Sequence, residues 1–337
     1  MAENNKPEPA DDEVQDLVAQ VDTGARHPGG IPGKMLFGVP VAWSLFQLWY
    51  ASPLPFIFGF GVFNDTEARA IHLAFAIFLA FTAFPAFRSS PRDHIPIQDW
   101  VFAAVGAFSA AYIFIFYTEL SGRSGAPTTP DLVIAVCGML LLLEATRRAL
   151  GPPLMIVAIV FLTYTFGGQY MPDVIAHKGQ SLNKVMSHQW LTTEGVFGIA
   201  LGVSSSFVFL FVLFGALLEK AGAGNYFIKV AFALLGHMKG GPAKAAVVAS
   251  ATTGLISGSS IANVATTGTF TIPLMKRVGF PGTKAGAVEV AGSTNGQLTP
   301  PVMGAAAFLM IEYVGISYIE VIKHAILPAI SSYIALV

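Results

Sequence analysis

The stretch Ile256–Pro273, ISGSSIANVATTGTFTIP, decides how the chain folds. It sets three serines, an asparagine and four threonines among glycines, while apolar residues flank it on both sides. The surrounding composition is that of a membrane protein. Hydrophobic residues make up 54% of the 337 and charged ones 12%, with a mean hydropathy of +0.63. A soluble domain carries about a quarter charged residues, because its surface faces water. The chain is therefore expected to be an all-α integral membrane protein whose constant partner is the lipid bilayer. A net charge of −1 gives no footing for a nucleic-acid partner, and the single Cys137 excludes an internal disulfide. Met1–Lys34 is polar and acidic, lacks the apolar core of a cleavable signal peptide, and reads as a disordered cytoplasmic tail over residues 1–34.

Spanning helices need about 20 mostly apolar residues. Candidates lie at roughly Met35–Phe56, Ala68–Phe87, Trp100–Thr118, Leu132–Leu150, Pro152–Tyr170 and Val196–Leu218. Trp43, Trp49, Tyr50, Trp100, Tyr112 and Tyr117 fall toward segment ends, as interfacial aromatics do. Lys and Arg set the orientation. With the N-terminus in the cytoplasm, Arg88, Arg92, Arg147, Arg148, Lys220, Lys229, Lys239, Lys244, Lys276, Arg277 and Lys284 all fall on that side. Arg69, Arg123, Lys178 and Lys184 remain outside.

Basic residues on both flanks carry the reading of the opening stretch. Residues 225–238 are too short to cross and read as a helix along the cytoplasmic face. Residues 242–278 begin and end with basic residues, so they enter from the cytoplasm and return as a re-entrant hairpin, with arms at about 243–255 and 261–275. A second interruption, STNGQLTPP at Ser293–Pro301, breaks a helix over 283–314, because Gly296 and the Pro300–Pro301 pair sit poorly inside a helix. Thr299 is the expected cap of the second half.

Two broken elements close in sequence point to a transporter binding site. Where the first arm ends near Gly254–Gly258, unpaired carbonyls suit a Na⁺. Where the second begins near Ser259–Ala262, outward N–H groups suit a carboxylate. Ser257, Ser259, Ser260 and Asn263 add neutral polar groups that serve either ion. Asn295, Gly296 and Thr299 offer oxygens, and Pro300 and Pro301 no N–H, so the second break suits a cation or a substrate-orienting wall. Simple close packing of small residues explains Gly202–Ser206 well, but neither the basic flanks of the hairpin nor the double proline. Glu144 and Arg148 are spaced to pair at a helix end rather than relay protons, and Glu289 reads as an interfacial anchor, with a site residue as the alternative. No metal-ligand spacing or nucleophile–base motif occurs, so no enzyme is expected and no cofactor beyond a coupling Na⁺.

The segments AWSLFQLWYA, RAIHLAFA, GHMKGGPAKAAVVASATTGLISGSSIANVATTGTFTIPLMKRVGF and EVAGSTNGQLTPPVMGAAAFLM resemble the fused membrane component of tripartite ATP-independent periplasmic (TRAP) transporters, most closely the type served by TAXI-class binding proteins. The resemblance implies a four-helix small-subunit module at 35–150. It implies the first half of a large transport module at 151–337, with interfacial helix 225–238, re-entrant hairpin 242–278 and broken helix 283–314. It further implies a bacterial inner-membrane location and elevator-type, Na⁺-coupled import of a small organic anion delivered by a periplasmic solute-binding protein. On matching positions the candidate Na⁺ ligands are Ser257, Gly258, Ser260, Asn295, Gly296 and Thr299. The candidate substrate contacts are Ser259, Ser260, Asn263, Thr299 and Pro300. Such modules have two inverted halves, whereas this chain carries one hairpin and one broken helix. It is accordingly expected to be a fragment or truncated frame that does not transport alone. Two alternatives stand beside this reading: a Na⁺- or H⁺-coupled elevator carrier that needs no binding protein, and a membrane scaffold that does not transport.

Overall fold

The computed structural model describes residues 25–87 and 89–337, and every regular element among them is helical. In chain order the α-helices are α1 (Gly30–Ala51), α2 (Leu54–Phe58), α3 (Asp65–Ala83), α4 (Ile97–Ile115), α5 (Tyr117–Gly122), α6 (Thr129–Leu150), α7 (Pro152–Gly167) and α8 (Leu182–Trp190). They continue with α9 (Ile199–Val203), α10 (Phe209–Lys220), α11 (Ala223–Leu235), α12 (Gly241–Gly254), α13 (Ser260–Arg277), α14 (Gly282–Asn295), α15 (Ala305–Val314) and α16 (Tyr318–Leu336).

Among the described residues six helical segments are long and apolar enough to cross a membrane: Asp65–Ala83, Ile97–Ile115, Thr129–Leu150, Pro152–Tyr170, Ile199–Lys220 and Tyr318–Leu336. Five of these overlap the expected spans. The first expected span, Met35–Phe56, is not among them. Its helix α1 has the length, but Lys34, Pro40 and Gln47 lower its apolarity. Tyr318–Leu336 takes the sixth place. Of the expected disordered tail, residues 1–24 lie outside the described residues, as does Arg88 in the orientation argument. The remainder is ordered: Arg26 is buried against Asp99 at 2.5 Å, and α1 begins at Gly30.

The chain divides into two compact units, Met1–Ser205 and Ser206–Val337. In the first, α3 presents Ala70, Leu73, Ile77 and Phe81 at helical spacing to a core that includes Ala103 and Ile113 of α4, Ala135 and Met139 of α6, and Met186 and Trp190 of α8. Trp190 is fully buried and its indole N–H donates to the Ser109 carbonyl at 3.1 Å. Gly138 makes that possible, since a Cβ there would stand 2.2 Å from the ring. Residues 151–205, read from sequence with the following module, thus pack here with α4 and α6.

Polar clusters pin antiparallel α4 and α6 at both ends. At one end Asp99 accepts from Arg26 and from Arg148 (2.8 Å), and Arg148 and Arg147 both hold Glu144. The expected Glu144–Arg148 pair is thereby part of a larger network. At the other end Asp131 caps α6 through the Thr128 N–H and accepts from Arg123 and from the Tyr112 hydroxyl at 2.7 Å. That hydrogen bond from Arg123 pushes its guanidinium above its ordinary pKa. Tyr112 is buried on this carboxylate rather than standing in an interfacial belt, because its hydroxyl finds an internal acceptor.

In the second unit α11 buries Ile228 and Ala231 against Ala245 and Ala249 of α12. Helices α12 and α13 run antiparallel as a hairpin whose tip is Leu255–Ser259, and α14 packs on both. Their contacts use Ala, Gly, Ser and Thr, which let helix axes come close. At 1.5 Å per residue, the 14 residues of α12 and of α14 each span only about 21 Å.

Candidate functional site

The hairpin tip and the break after α14 meet backbone to backbone. A Cβ on Gly254 would lie 2.7 Å from the Gly296 Cα, and one on Gly258 would lie 1.8 Å from the Met303 carbonyl oxygen. Only glycine permits either approach. The contact is fastened by the Gln297 side-chain amide, which donates to the Ser260 hydroxyl at 2.9 Å.

Local sequence explains how each arm ends. Helix α12 closes with a tight turn in which the N–H groups of Ile256 and Ser257 both reach the Thr253 carbonyl at 3.0 Å. This ties the Thr253 acceptor and leaves those beyond it to the tip. Helix α13 starts at an N-cap as expected for serine: the Ser259 hydroxyl accepts from the Ala262 N–H at 3.2 Å. The N–H groups of Ser260 and Ile261 remain to face outward from the first turn.

Beyond Asn295 the chain makes one 3-10 turn, Gly296–Leu298, then runs irregularly through the cis Pro300–Pro301 bond to Gly304. The expected cap at Thr299 is not formed. Helix α15 begins at Ala305 with Gly304 as its N-cap. Thr299, extended as a residue before proline must be, turns its hydroxyl back to the Asn295 carbonyl at 3.0 Å. The positive φ of Met303, 53°, keeps the helix from starting earlier.

The predicted site residues divide into two groups. Asn263, Asn295 and Gly296 gather where the hairpin crosses the break, with Ser260 tied to it through Gln297. Asn263 is fully buried, its amide donates to the Ser250 carbonyl at 2.9 Å, and a Cβ on Gly296 would sit 2.9 Å from that amide nitrogen. Its Oδ1, the Asn295 Nδ2 and the Thr253 hydroxyl are buried with no hydrogen-bond partner. Native interiors leave few such atoms, and three of them at one crossing call for a bound water, ion or ligand.

Ser257, Gly258 and Ser259 instead border a cavity of about 330 Å³, opposite Phe211, Met303 and Phe308. It is within the size range of small-ligand sites and mostly apolar, with polar groups on one edge. Glu219 lines the same cavity and accepts from Thr266 at 3.0 Å, so its carboxylate opposes an anion beside it. Thr299 and Pro300 belong to neither group. The Thr299 hydroxyl is engaged with the Asn295 carbonyl and with the Tyr333 hydroxyl of α16 at 3.1 Å, and Pro300 is half-buried.

Sequence reasoning missed Thr253, Gln297 and Tyr333. It also placed Glu289 at a membrane interface, whereas the residue is fully buried and ringed by hydroxyls, because Ser250, Thr267, Thr271 and Ser293 all turn toward it. A signal was present: Asn263, Thr267 and Thr271 recur every fourth residue and so line one face of α13.

Among the described residues the structure is helical throughout, with six helices long and apolar enough to cross a membrane and a polar helix break, the features of a multi-pass membrane permease. The chain belongs to the family described as tripartite ATP-independent periplasmic transporter, DctM component, whose profile matches residues 137–337. Among curated proteins it is 38% identical over 91 residues to the C4-dicarboxylate TRAP transporter large permease protein DctM of Pseudomonas aeruginosa, covering 27% of this chain and 21% of that one. The protein of the same name from Rhodobacter capsulatus is 36% identical over the same extent. Uncharacterized protein y4mL of Sinorhizobium fredii is 30% identical over 120 residues, covering 36% of this chain and 28% of that one. The chain thus spans between about a fifth and about a quarter of the length of these relatives. No solved structure matches it significantly.

Proposed function

We propose that the chain is the permease component of a Na⁺-coupled secondary transporter that imports a small organic anion handed over by a periplasmic solute-binding protein. The observation that carries this reading is the crossing of the hairpin tip on the break, with the Asn263 Oδ1 left buried and unpartnered. A carbonyl-type oxygen held without a donor suits a hard monovalent cation, and Ser260 and the tip carbonyls supply further neutral oxygens. The Asn295 Nδ2, a donor, fits an anion or carbonyl instead, so the two orphans divide between ion and substrate. The 330 Å³ cavity, where Ser259 heads the α13 N-terminus, supports a substrate position on the tip side.

Helices α12 and α14, each about 21 Å long, fall short of the ~30 Å hydrocarbon core, which supports a re-entrant hairpin and a discontinuous helix at membrane depth. The relatives named for C4-dicarboxylates favour a dicarboxylate, while the fused, TAXI-type resemblance favours a broader carboxylate class. Residues 35–150 then act as the small-subunit module and 151–337 as part of the large one, with the N-terminus in the cytoplasm of a bacterial inner membrane and the hairpin-bearing body moving as an elevator.

Uptake of labelled succinate into proteoliposomes holding the intact permease, with its binding protein and an inward Na⁺ gradient, tests the reading. Uptake that depends on both is expected. Uptake of equal rate without the binding protein would favour a stand-alone carrier, and failure of Na⁺ and every carboxylate tried to bind would favour a scaffold.

A further inference from the structure

The cavity beside the hairpin tip carries charge of one sign only. Among the described residues that line it Glu219 is charged, and none of the others is a lysine, arginine or histidine. Glu219 lies in the last turn of α10, and its Oε1 accepts from the Thr266 hydroxyl of α13 at 3.0 Å. Gly224 leaves room for this contact, since a Cβ there would stand 3.2 Å from the Thr266 Cγ2. Glu219 takes part in no ion pair among the described residues. A dicarboxylate would bring two negative groups into a space that adds a third and offers no side-chain cation. Juxtaposed like charges of this kind exclude a ligand rather than attract it.

The polar groups of the lining fall into two poles. At the tip stand Ser257 and Ser259, the N–H groups of Ser260 and Ile261 at the start of α13, and Thr253, whose hydroxyl is buried without a partner. These are donors, and they suit a carboxylate. The other pole is Glu219 with Thr266, which asks for a positive donor. Thr266 stands six residues beyond Ser260, about 9 Å along the α13 axis. An ammonium group and a carboxylate joined by about three methylenes cover that separation, once a hydrogen bond of about 3 Å is added at one end. Phe211 and Phe308, with ring centroids 5.2 Å apart, and Met303 give the methylenes an apolar wall. A bare metal ion is served less well at Glu219. Ala216 and Ala262, one turn away from Glu219 and Thr266 on their helices, add no side-chain oxygen to a coordination shell, whereas an ammonium group is satisfied by a single carboxylate.

We propose that the cavity takes a carboxylate that also carries an ammonium group, and that Glu219 selects this ligand by pairing with the ammonium. Thr266 positions the Glu219 carboxylate, and the hairpin tip holds the carboxylate of the ligand. The substrate class is then amino carboxylates rather than the C4-dicarboxylates for which two relatives are named. That such a ligand is transported rests on the transport reading given above, whereas its binding does not.

The test compares two four-carbon probes, 4-aminobutyrate and succinate, which differ in one end group. Binding of each is measured by calorimetry on purified intact permease in nanodiscs with Na⁺ present. Wild type is expected to bind 4-aminobutyrate about 10- to 100-fold more tightly than succinate, the range of a hydrogen bond to a charged group. Glu219→Gln keeps the shape of the side chain and should abolish that preference, Thr266→Val should reduce it, and Glu219→Lys should reverse it. Glu219 is exposed, so these variants should melt like wild type. Succinate bound as tightly as 4-aminobutyrate by wild type, no binding of 4-aminobutyrate, or an equal loss of both probes in Glu219→Gln, as for a Na⁺ ligand, would overturn the proposal. In parallel, proteoliposome uptake by wild type tests the transport reading alone. Binding of 4-aminobutyrate without uptake would keep the Glu219 site and remove the transporter, while Na⁺-driven succinate uptake without 4-aminobutyrate binding would keep the transporter and remove the site.

Discussion

Adding one methyl group at Gly254 separates a steric role for the glycine crossing from mere helix flexibility. A Cβ at this position would lie 2.7 Å from the Gly296 Cα and 3.3 Å from its carbonyl oxygen. Non-bonded carbons settle at about 3.5–4.0 Å, so the two backbones must part by roughly 1 Å. Overpacking of this kind costs about 1–3 kcal/mol. Alanine regains up to about 1 kcal/mol through its helix propensity at the end of α12, which acts on the hairpin arm and not on the crossing. Gly254→Ala should therefore leave the melting temperature nearly unchanged while opening the crossing. The closed arrangement should be populated about 5- to 150-fold less. The assay is the Na⁺ concentration dependence of uptake by the intact permease, with Gly286→Ala as control, because a Cβ at Gly286 meets nothing within 4 Å. An unchanged Na⁺ dependence in Gly254→Ala, or equal impairment in Gly286→Ala, would refute the steric argument.

Removing the carboxylate in Asp99→Ala strands the buried Arg26 guanidinium and leaves Arg148 with Glu144 alone, and should destabilise the first unit by about 3–5 kcal/mol in thermal unfolding; a variant that melts like wild type would show the network to be dispensable. Trp190→Ala empties the centre of the same core and should cost about 3–5 kcal/mol, read in the same experiment, with Gly138→Ala also destabilising because it drives a methyl into the ring. Ser260→Ala and Gln297→Ala each remove the Gln297–Ser260 hydrogen bond between the start of α13 and the break, worth about 1 kcal/mol. Each change should weaken Na⁺-dependent uptake, and the double variant should be no worse than either single; additive losses would mean the two side chains act separately.

The architecture was largely legible where physics depends on local pattern. Five spanning segments declare themselves by length and apolarity, and the hairpin by glycine and serine between apolar arms with basic flanks. What escaped depended on partners distant in sequence. Arg26 looks like part of a polar tail until Asp99 and Arg148, 73 and 49 residues apart from their partners in sequence, meet in one cluster. Glu289 looks like an interfacial anchor because its hydroxyl cage is drawn from three helices, and only the face of α13 shows any spacing. Thr299 satisfies every local rule for an N-cap, yet the Pro–Pro pair and the left-handed Met303 delay the next helix to Ala305. The first expected span shows the reverse, a helix of full length that Lys34, Pro40 and Gln47 keep out of the six long apolar segments.

Gly254 and Gly296 touch through main-chain atoms, and this has a mechanical consequence. Side chains between packed helices act as springs, since a rotamer change takes up small displacements. Here there is no spring. Any shift of the break is delivered to the end of α12 at full amplitude, and any shift of the tip returns to the break in the same way. Neither residue can be varied to tune that stiffness, so under the proposed function any adjustment of ion preference falls to the neighbours, Asn263, Asn295 and Gln297, while the glycine contact itself stays chemically blank.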